Sequence, residues 1–465
     1  MRELWLRSWR QDRLLGRVLK NSSYLFASSV IGAVLSIVTA NLLGVAVFGI
    51  LGVLTSFVTN VKHLFSFRMG EVIVKYMGES LARGELDRAG AVVKAAMLVE
   101  ALTNIAAFVC LALVAPFAAT YIAKDPATTP LFMMYGVSIL TGLTTETSTG
   151  VLQVTNHYRS QALINLLQSI LVAALIGWAY LTDGGLMMVL SAYLIGKIIL
   201  GFGPIALSFF WLPRVLGPGW LRAPFSLLPP KRELLRFAIN TNFSSTINLI
   251  ARDGEVSWVS FFFGPLAAGY FKTALAIITL IVMPINPLIS TSFPEITRAF
   301  ASRSWARLRS LLQRVTLVAG AWTGAVAIGL ILIGRQVLFT EWTLFGRTFH
   351  VYSSEYLPAH QVLLVLLVGY GFANIFFWNR PLLLAEGHAG FPLKVSFWAM
   401  LAKVALAFIL IIGFGAGYMV EAVLLSGYFV VTVGLNVWRG LLEINRAETS
   451  TRLQGQGEPE GEPAV

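Results

Sequence analysis

Charge is what this sequence has least of. Asp, Glu, Lys and Arg make up 12% of its 465 residues, against 56% apolar residues. Soluble domains carry roughly 25% charged residues. So few charges cannot keep a chain of this length in water, and lipid must cover much of its surface. Cysteine is almost missing. The one residue, Cys110, lies in an apolar run and leaves no disulfide, thiol pair or cysteine zinc site within the chain. Histidine is sparse too. His63, His157, His350, His360 and His388 are scattered, with no pair at the helical spacing that metal ligation needs. There is no Gly-rich phosphate loop ending in Lys-Ser or Lys-Thr, which excludes ATP hydrolysis by that route. There is no Gly-x-Ser-x-Gly elbow either. No catalytic residue, metal site or cofactor is expected, and the chain reads as a transporter rather than an enzyme.

What the sequence does hold is a succession of apolar runs. A spanning helix needs about 20 mainly apolar residues. About 12 such segments can be laid out, roughly 22–43, 46–67, 91–115, 130–153, 161–181, 186–211, 237–261, 266–290, 311–334, 358–384, 392–413 and 417–438. The formal net charge of +12 sits in short clusters between them, without the basic, aromatic-interleaved groove of a nucleic-acid binder. Clusters follow the second segment (Arg68, Lys75, Arg83, Arg88), the sixth (Arg214, Arg222, Lys231, Arg232) and the eighth (Arg298, Arg303, Arg307, Arg309). Arg439, Arg446 and Arg452 close the chain. With an even number of segments all of these fall on one side, so both termini are expected in the cytoplasm of a prokaryotic cell. Residues 1–20 form a basic amphipathic stretch suited to an anionic leaflet, with no cleavage site for a signal peptide.

The chain also repeats. Gly44-Val45-Ala46-Val47-Phe48-Gly49-Ile50 closes the first hairpin, and Gly264-Pro265-Leu266-Ala267-Ala268-Gly269-Tyr270 closes that of segments seven and eight. Each following helix ends near a glutamate, Glu71 or Glu295, and a basic amphipathic stretch. Later, Asn156-His157 is matched by Gly387-His388. The expected organisation is an all-α integral membrane fold of two six-helix bundles, 21–211 and 237–440. A cytoplasmic linker, 212–236, joins them, and a disordered tail covers 441–465, rich in Gln, Gly, Glu and Pro from about Glu448.

Polar residues at membrane depth are the functional signal. A charge at the bilayer centre costs roughly 2.5–3.5 kcal/mol even on a lenient scale, so such residues must face protein or a wet cavity. Asn240, Ser244, Asn248, Arg252 and Glu255 recur at spacings that place them on one face of segment seven, with Asp253 beside them. Segment eight adds Lys272, Thr279, Asn286 and Ser290, and Pro284 and Pro287 predict a kink. Segment two carries Thr55, Thr59, Lys62 and Ser66, with His63 and Arg68 near its end. Glu100, Glu146, Lys197, Arg380, Glu386, Lys403 and Glu421 read singly as structural or snorkelling groups. Lysine and arginine among polar stripes point to an anionic ligand, since cation and phosphate make short, charge-assisted bonds.

The first hairpin from Asn41 to Ile50, Arg68-Met69-Gly70-Glu71 with Lys75-Tyr76, and the order Asp253, Gly264, Gly269-Tyr270, Ala274 give the chain a family likeness over about 20–440. It resembles the polysaccharide-transport branch of the multidrug/oligosaccharidyl-lipid/polysaccharide (MOP) exporter superfamily, the Wzx-like oligosaccharide flippases. The resemblance implies a MOP flippase-like fold with a cavity that opens to either side. It also implies flipping of an undecaprenyl-pyrophosphate-linked oligosaccharide across the inner membrane for surface polysaccharide biosynthesis. The partners it implies are that lipid-linked glycan, membrane lipids, and polymerase or glycosyltransferase machinery. It assigns the pyrophosphate to Arg252 and Lys272, then Lys62 and Arg380. A drug/cation antiporter of the same superfamily is the main alternative, although such a site would favour acidic and aromatic groups. A membrane-embedded glycan polymerase is another, with Glu341, Arg347, His350 and Glu355 of the longest loop, about 335–357, as its acid/base candidates. That loop reads better as a lid or interfacial belt. A purely structural membrane protein would need no stripe of buried charge.

Overall fold

Gly44 interrupts a helix that otherwise runs from Arg13 to Phe65 (α1), with φ 70° and ψ 168°. Gly264 separates the helices Glu255–Phe263 (α7) and Pro265–Val282 (α8), with φ 86° and ψ 177°. Only glycine enters that region without strain. The two hairpins that repeat in sequence therefore turn by the same backbone device. Five residues further on, each hairpin carries the glycine by which it meets the other. A Cβ at Gly49 would lie 1.9 Å from the carbonyl oxygen of Pro265, and a Cβ at Gly269 would lie 2.2 Å from that of Val45. Pro265 and Gly269 are the repeat counterparts of Val45 and Gly49, so the contact is reciprocal.

The computed structural model describes residues 13–230, 232, 242–344, 347–388 and 390–456. Residues 1–12 of the basic N-terminal stretch and Asn240 lie outside them. Between the hairpins run Leu86–Phe117 (α2), Thr129–Thr141 (α3), Thr145–Val154 (α4), Tyr158–Leu181 (α5) and Leu186–Leu216 (α6). After α8 come Asn286–Ala301 (α9), Trp305–Leu332 (α10), Leu357–Ile375 (α11), Asn379–Ala385 (α12), Gly390–Phe408 (α13) and Met419–Gln456 (α14). Among the described residues nine helical stretches are long and apolar enough to cross a bilayer. The stretch Val30–Phe65 holds two segments across Gly44. Segment four is divided into α3 and α4, and segment seven is broken before α7. That accounts for the expected twelve.

Pro284 and Pro287 shape the end of α8. A 3₁₀ turn, Met283–Ile285, replaces regular helix there, as missing backbone donors require. The last helix runs on to Gln456, and Arg309 holds it where a tail was expected, 2.6 Å from Glu448 and 2.8 Å from Asn445. The departure from helix among the described residues is a small antiparallel pair, Trp342–Leu344 (β1) with Arg347–Phe349 (β2), in the long loop.

By proximity the chain forms two units, Met1–Ile277 with Val337–Ala359, and Ile278–Gln336 with His360–Val465. The first packs Met69, Ile73, Met77, Val92, Val93 and Trp220 together. The second packs Ile285, Ile296, Leu308, Trp378, Leu382 and Ile444. Outward-facing positions carry residues such as Leu113, Leu181, Leu332 and Phe414, two thirds or more exposed. A surface of that kind is stable against hydrocarbon rather than water.

A candidate anion-binding cavity

The first unit carries an open cavity of about 500 Å³. The second part of α1 brings Thr55, Ser56, Thr59, Asn60 and His63 to it, because spacings of three and four residues keep them on one face. The hydroxyls of Thr55 and Thr59 donate back to the carbonyls of Leu51 and Thr55, both at 2.7 Å, which lets them sit at membrane depth. Tyr135 of α3, Gln168 of α5, and Tyr193 and Lys197 of α6 form further wall. Asp253 and Lys272 complete it.

Asp253 is the one carboxylate among the described lining residues, and it already has a cation. Arg252 donates from Nε to Oδ1 at 2.7 Å and from its second terminal nitrogen to Oδ2 at 3.3 Å. Lys197 and Lys272 have no hydrogen-bond or ion-pair partner among the described residues. The Lys272 ammonium lies 4.2 Å from the centroid of the Phe48 ring. The uncompensated charge of the cavity is therefore cationic. An unpaired charge at this depth is costly, and an anionic ligand would offset that cost.

The residues singled out in the sequence separate into groups. Lys272, Thr59 and Asp253 line the cavity. The single polar face expected for segment seven is not kept. A π-helical turn, Leu249–Asp253, takes up an extra residue and rotates the helix beyond it by about 100° relative to a regular helix. Arg252 is thereby turned onto Asp253, while Glu255 is fully buried. Ser244 and Asn248 are half-buried and lie outside the lining. Lys62 is on α1 but not in the lining, and its Nζ is 3.2 Å from where a Cβ of Gly142 would stand. Arg380 and Asn286 belong to the second unit and are exposed. Lys197, Gln168, Tyr135 and Tyr193 were not singled out as site residues. Lys197 did carry a signal, an ionisable group far from either end of an apolar run.

Two acids outside the cavity, Glu146 and Glu421, have structural partners. Glu146 accepts from Ser66 Oγ at 2.7 Å and from the Met69 amide at 3.2 Å. In the second unit Lys403 and Glu421 form a pair at 4.0 Å, nearly inaccessible to solvent. No group of three metal-ligating side chains occurs among the described residues.

The long loop covers the first hairpin. Asn41 donates to the Val351 carbonyl at 2.7 Å and accepts from the Ser353 amide at 3.0 Å. The Tyr356 hydroxyl donates to the Ala40 carbonyl at 2.7 Å, and the Tyr356 ring stands edge-on to Phe48 at 6.2 Å.

Residues 18–300 match a family model described as polysaccharide biosynthesis protein. The chain belongs to that family. Among curated proteins it is similar to Inner membrane protein YghQ of Escherichia coli (strain K12). The two are 21% identical over 371 residues, which is 77% of this chain and 99% of the relative. Among solved structures it resembles a multidrug resistance MATE family transporter of the MOP superfamily in an inward-facing conformation. The TM-score is 0.72 at 13% identity, over 91% of this chain and 96% of the other. It also resembles a MOP superfamily transporter from Pyrococcus furiosus described as having a binding pocket of reverse polarity. There the TM-score is 0.63 at 14% identity, over 93% and 95% of the two chains. This member of the polysaccharide biosynthesis family is therefore a multi-pass membrane protein with the MOP transporter fold.

Proposed function

We propose that the chain flips a lipid-linked oligosaccharide, headed by undecaprenyl pyrophosphate, across the inner membrane by alternating access, as a step in making a surface polysaccharide. The observation that carries this reading is the pair Lys197 and Lys272. Both line the cavity without a hydrogen-bond or ion-pair partner among the described residues, while the lining's carboxylate, Asp253, is already held by Arg252. A cavity for cationic drugs would call for the opposite balance. Lysine recognises phosphate as a point charge and needs no planar bidentate geometry. Membership of the polysaccharide biosynthesis family supports the glycan, and the likeness to an inner membrane protein supports the location.

Deletion of the gene tests it. Surface polysaccharide should be lost while lipid-linked repeat units accumulate on the cytoplasmic face. Units accumulating unpolymerised on the outer face would indicate a polymerase instead. Normal polysaccharide with lost drug resistance would indicate an antiporter.

A further inference from the structure

Phe48 and Gly52 lie one turn apart on α1, so they share a face. Lys272 of α8 lies along that face. A Cβ on Gly52 would stand 2.6 Å from Lys272 Cδ and 3.5 Å from its Cγ. The lysine stem thus occupies the space of the side chain that Gly52 lacks. Its ammonium arrives over the Phe48 ring, 4.2 Å from the centroid. Phe48 is fully buried and braced edge-on by Tyr356, whose hydroxyl is tied to the Ala40 carbonyl.

The choice of an aromatic face rather than a carboxylate matters chemically. A ring attracts a cation through its quadrupole and carries no net charge. A carboxylate at the same place would hold the lysine equally well but neutralise it, and an arriving anion would have to displace it. On the ring the ammonium meets no opposite charge and keeps its N–H donors. It is held in one place before the ligand comes, which lowers the entropic cost of binding.

We propose that Phe48 is the positioning residue for Lys272, holding its ammonium ready for the phosphate-bearing end of the ligand, with Gly52 as the clearance that lets the lysine lie there. The proposal rests on the reading of the cavity as a phosphate site.

The test replaces Phe48 in the purified full-length protein by 4-fluoro-, 3,5-difluoro- and 3,4,5-trifluorophenylalanine. These keep the ring's shape and progressively cancel its quadrupole. The probe is undecaprenyl pyrophosphate. Affinity should fall stepwise, by about tenfold at the trifluoro ring, a fall equivalent to roughly 1.4 kcal/mol. Phe48→Trp should retain affinity and Phe48→Leu should lose it. Gly52→Ala should weaken binding to a similar degree by displacing the lysine, although alanine favours helix. In a Lys272→Ala background the fluorinated series should be flat. A flat series in the presence of Lys272, with Lys272→Ala still weakening the probe, would overturn the role of Phe48 and leave the phosphate reading standing. Unchanged binding in Lys272→Ala and Lys197→Ala would overturn both.

Discussion

Glu100 caps a helix to which it does not belong: its Oε2 accepts the backbone N–H of Thr147, in the first turn of α4, at 2.8 Å. Its other oxygen accepts the Glu146 amide at 2.7 Å. Glu100 is 4% exposed, and the N-terminal amides of a helix are short of acceptors and favour negative charge. Hydrogen bonds to a charged group contribute roughly 1.5–3 kcal/mol each. Glu100→Ala should therefore destabilise the protein by about 3 kcal/mol, with Glu100→Gln between it and the parent. Unfolding in detergent measures this. A parent-like Glu100→Ala would remove the capping role.

Lys197 and Lys272 should matter to ligand and not to folding. Each alanine variant should weaken undecaprenyl pyrophosphate by about ten- to a hundredfold, the loss of one charge-assisted contact, with little change in thermal stability. Asp253→Asn should tighten the same probe, because it removes the negative charge of the lining. Arg252→Ala should weaken it, because it leaves Asp253 uncompensated. If Asp253→Asn weakens binding instead, the carboxylate has a direct part in holding the ligand.

Much of this is legible in the sequence, and the exceptions have local causes. The twelve apolar runs, the two glycine hairpins and the proline break after α8 follow from composition and backbone sterics. Lys272, Thr59 and Asp253 are visible as polar groups at membrane depth. The π turn at Leu249–Asp253 is not, because Asn248, Arg252 and Glu255 keep regular helical spacing straight across it. It moves Arg252 and Glu255 off the face that regular spacing assigns them. Lys197 has one companion in its run, Tyr193, one turn before it on α6. Gln168 and Tyr135 come from other helices, and only packing brings them to it.

Glu386 should make stability depend on pH. It stands in the turn after Ala385, with both carboxylate oxygens buried and without a hydrogen-bond partner among the described residues. Burial, aided by Glu443 and opposed by Arg439, pushes its carboxyl up from 4.5 to about 8. Between those values the folded state holds a proton that the unfolded state has released, so stability falls as pH rises through that window. Glu386→Gln should be more stable than the parent at pH 8.5 and similar to it at pH 4.5. Melting curves at the two values compare them, and parallel curves would remove Glu386 as the cause.

The basic clusters predict orientation. In a Cys110→Ala background, a cysteine replacing Ser304 should resist an impermeant maleimide in intact cells and react after permeabilisation. Labelling from outside would reverse the assigned topology.

Gly49 and Gly269 should each resist a side chain. Overpacking costs typically 1–3 kcal/mol, and the atoms in the way are carbonyl oxygens of Pro265 and Val45. Gly49→Ala and Gly269→Ala should each lower the melting temperature, and the double variant should cost less than the sum. The first substitution already parts the hairpins, so the second meets less resistance. Additive costs would mean that the two contacts are independent.

That reciprocity has a genetic consequence. When a side chain collides with a side chain, a smaller neighbour can suppress the defect. Here each glycine meets main chain, which every residue possesses, so no substitution at Val45 or Pro265 makes room. Second-site revertants of either glycine variant should therefore avoid the facing positions. They should arise where the backbone can bend, with the hairpin glycines Gly44 and Gly264 unchanged.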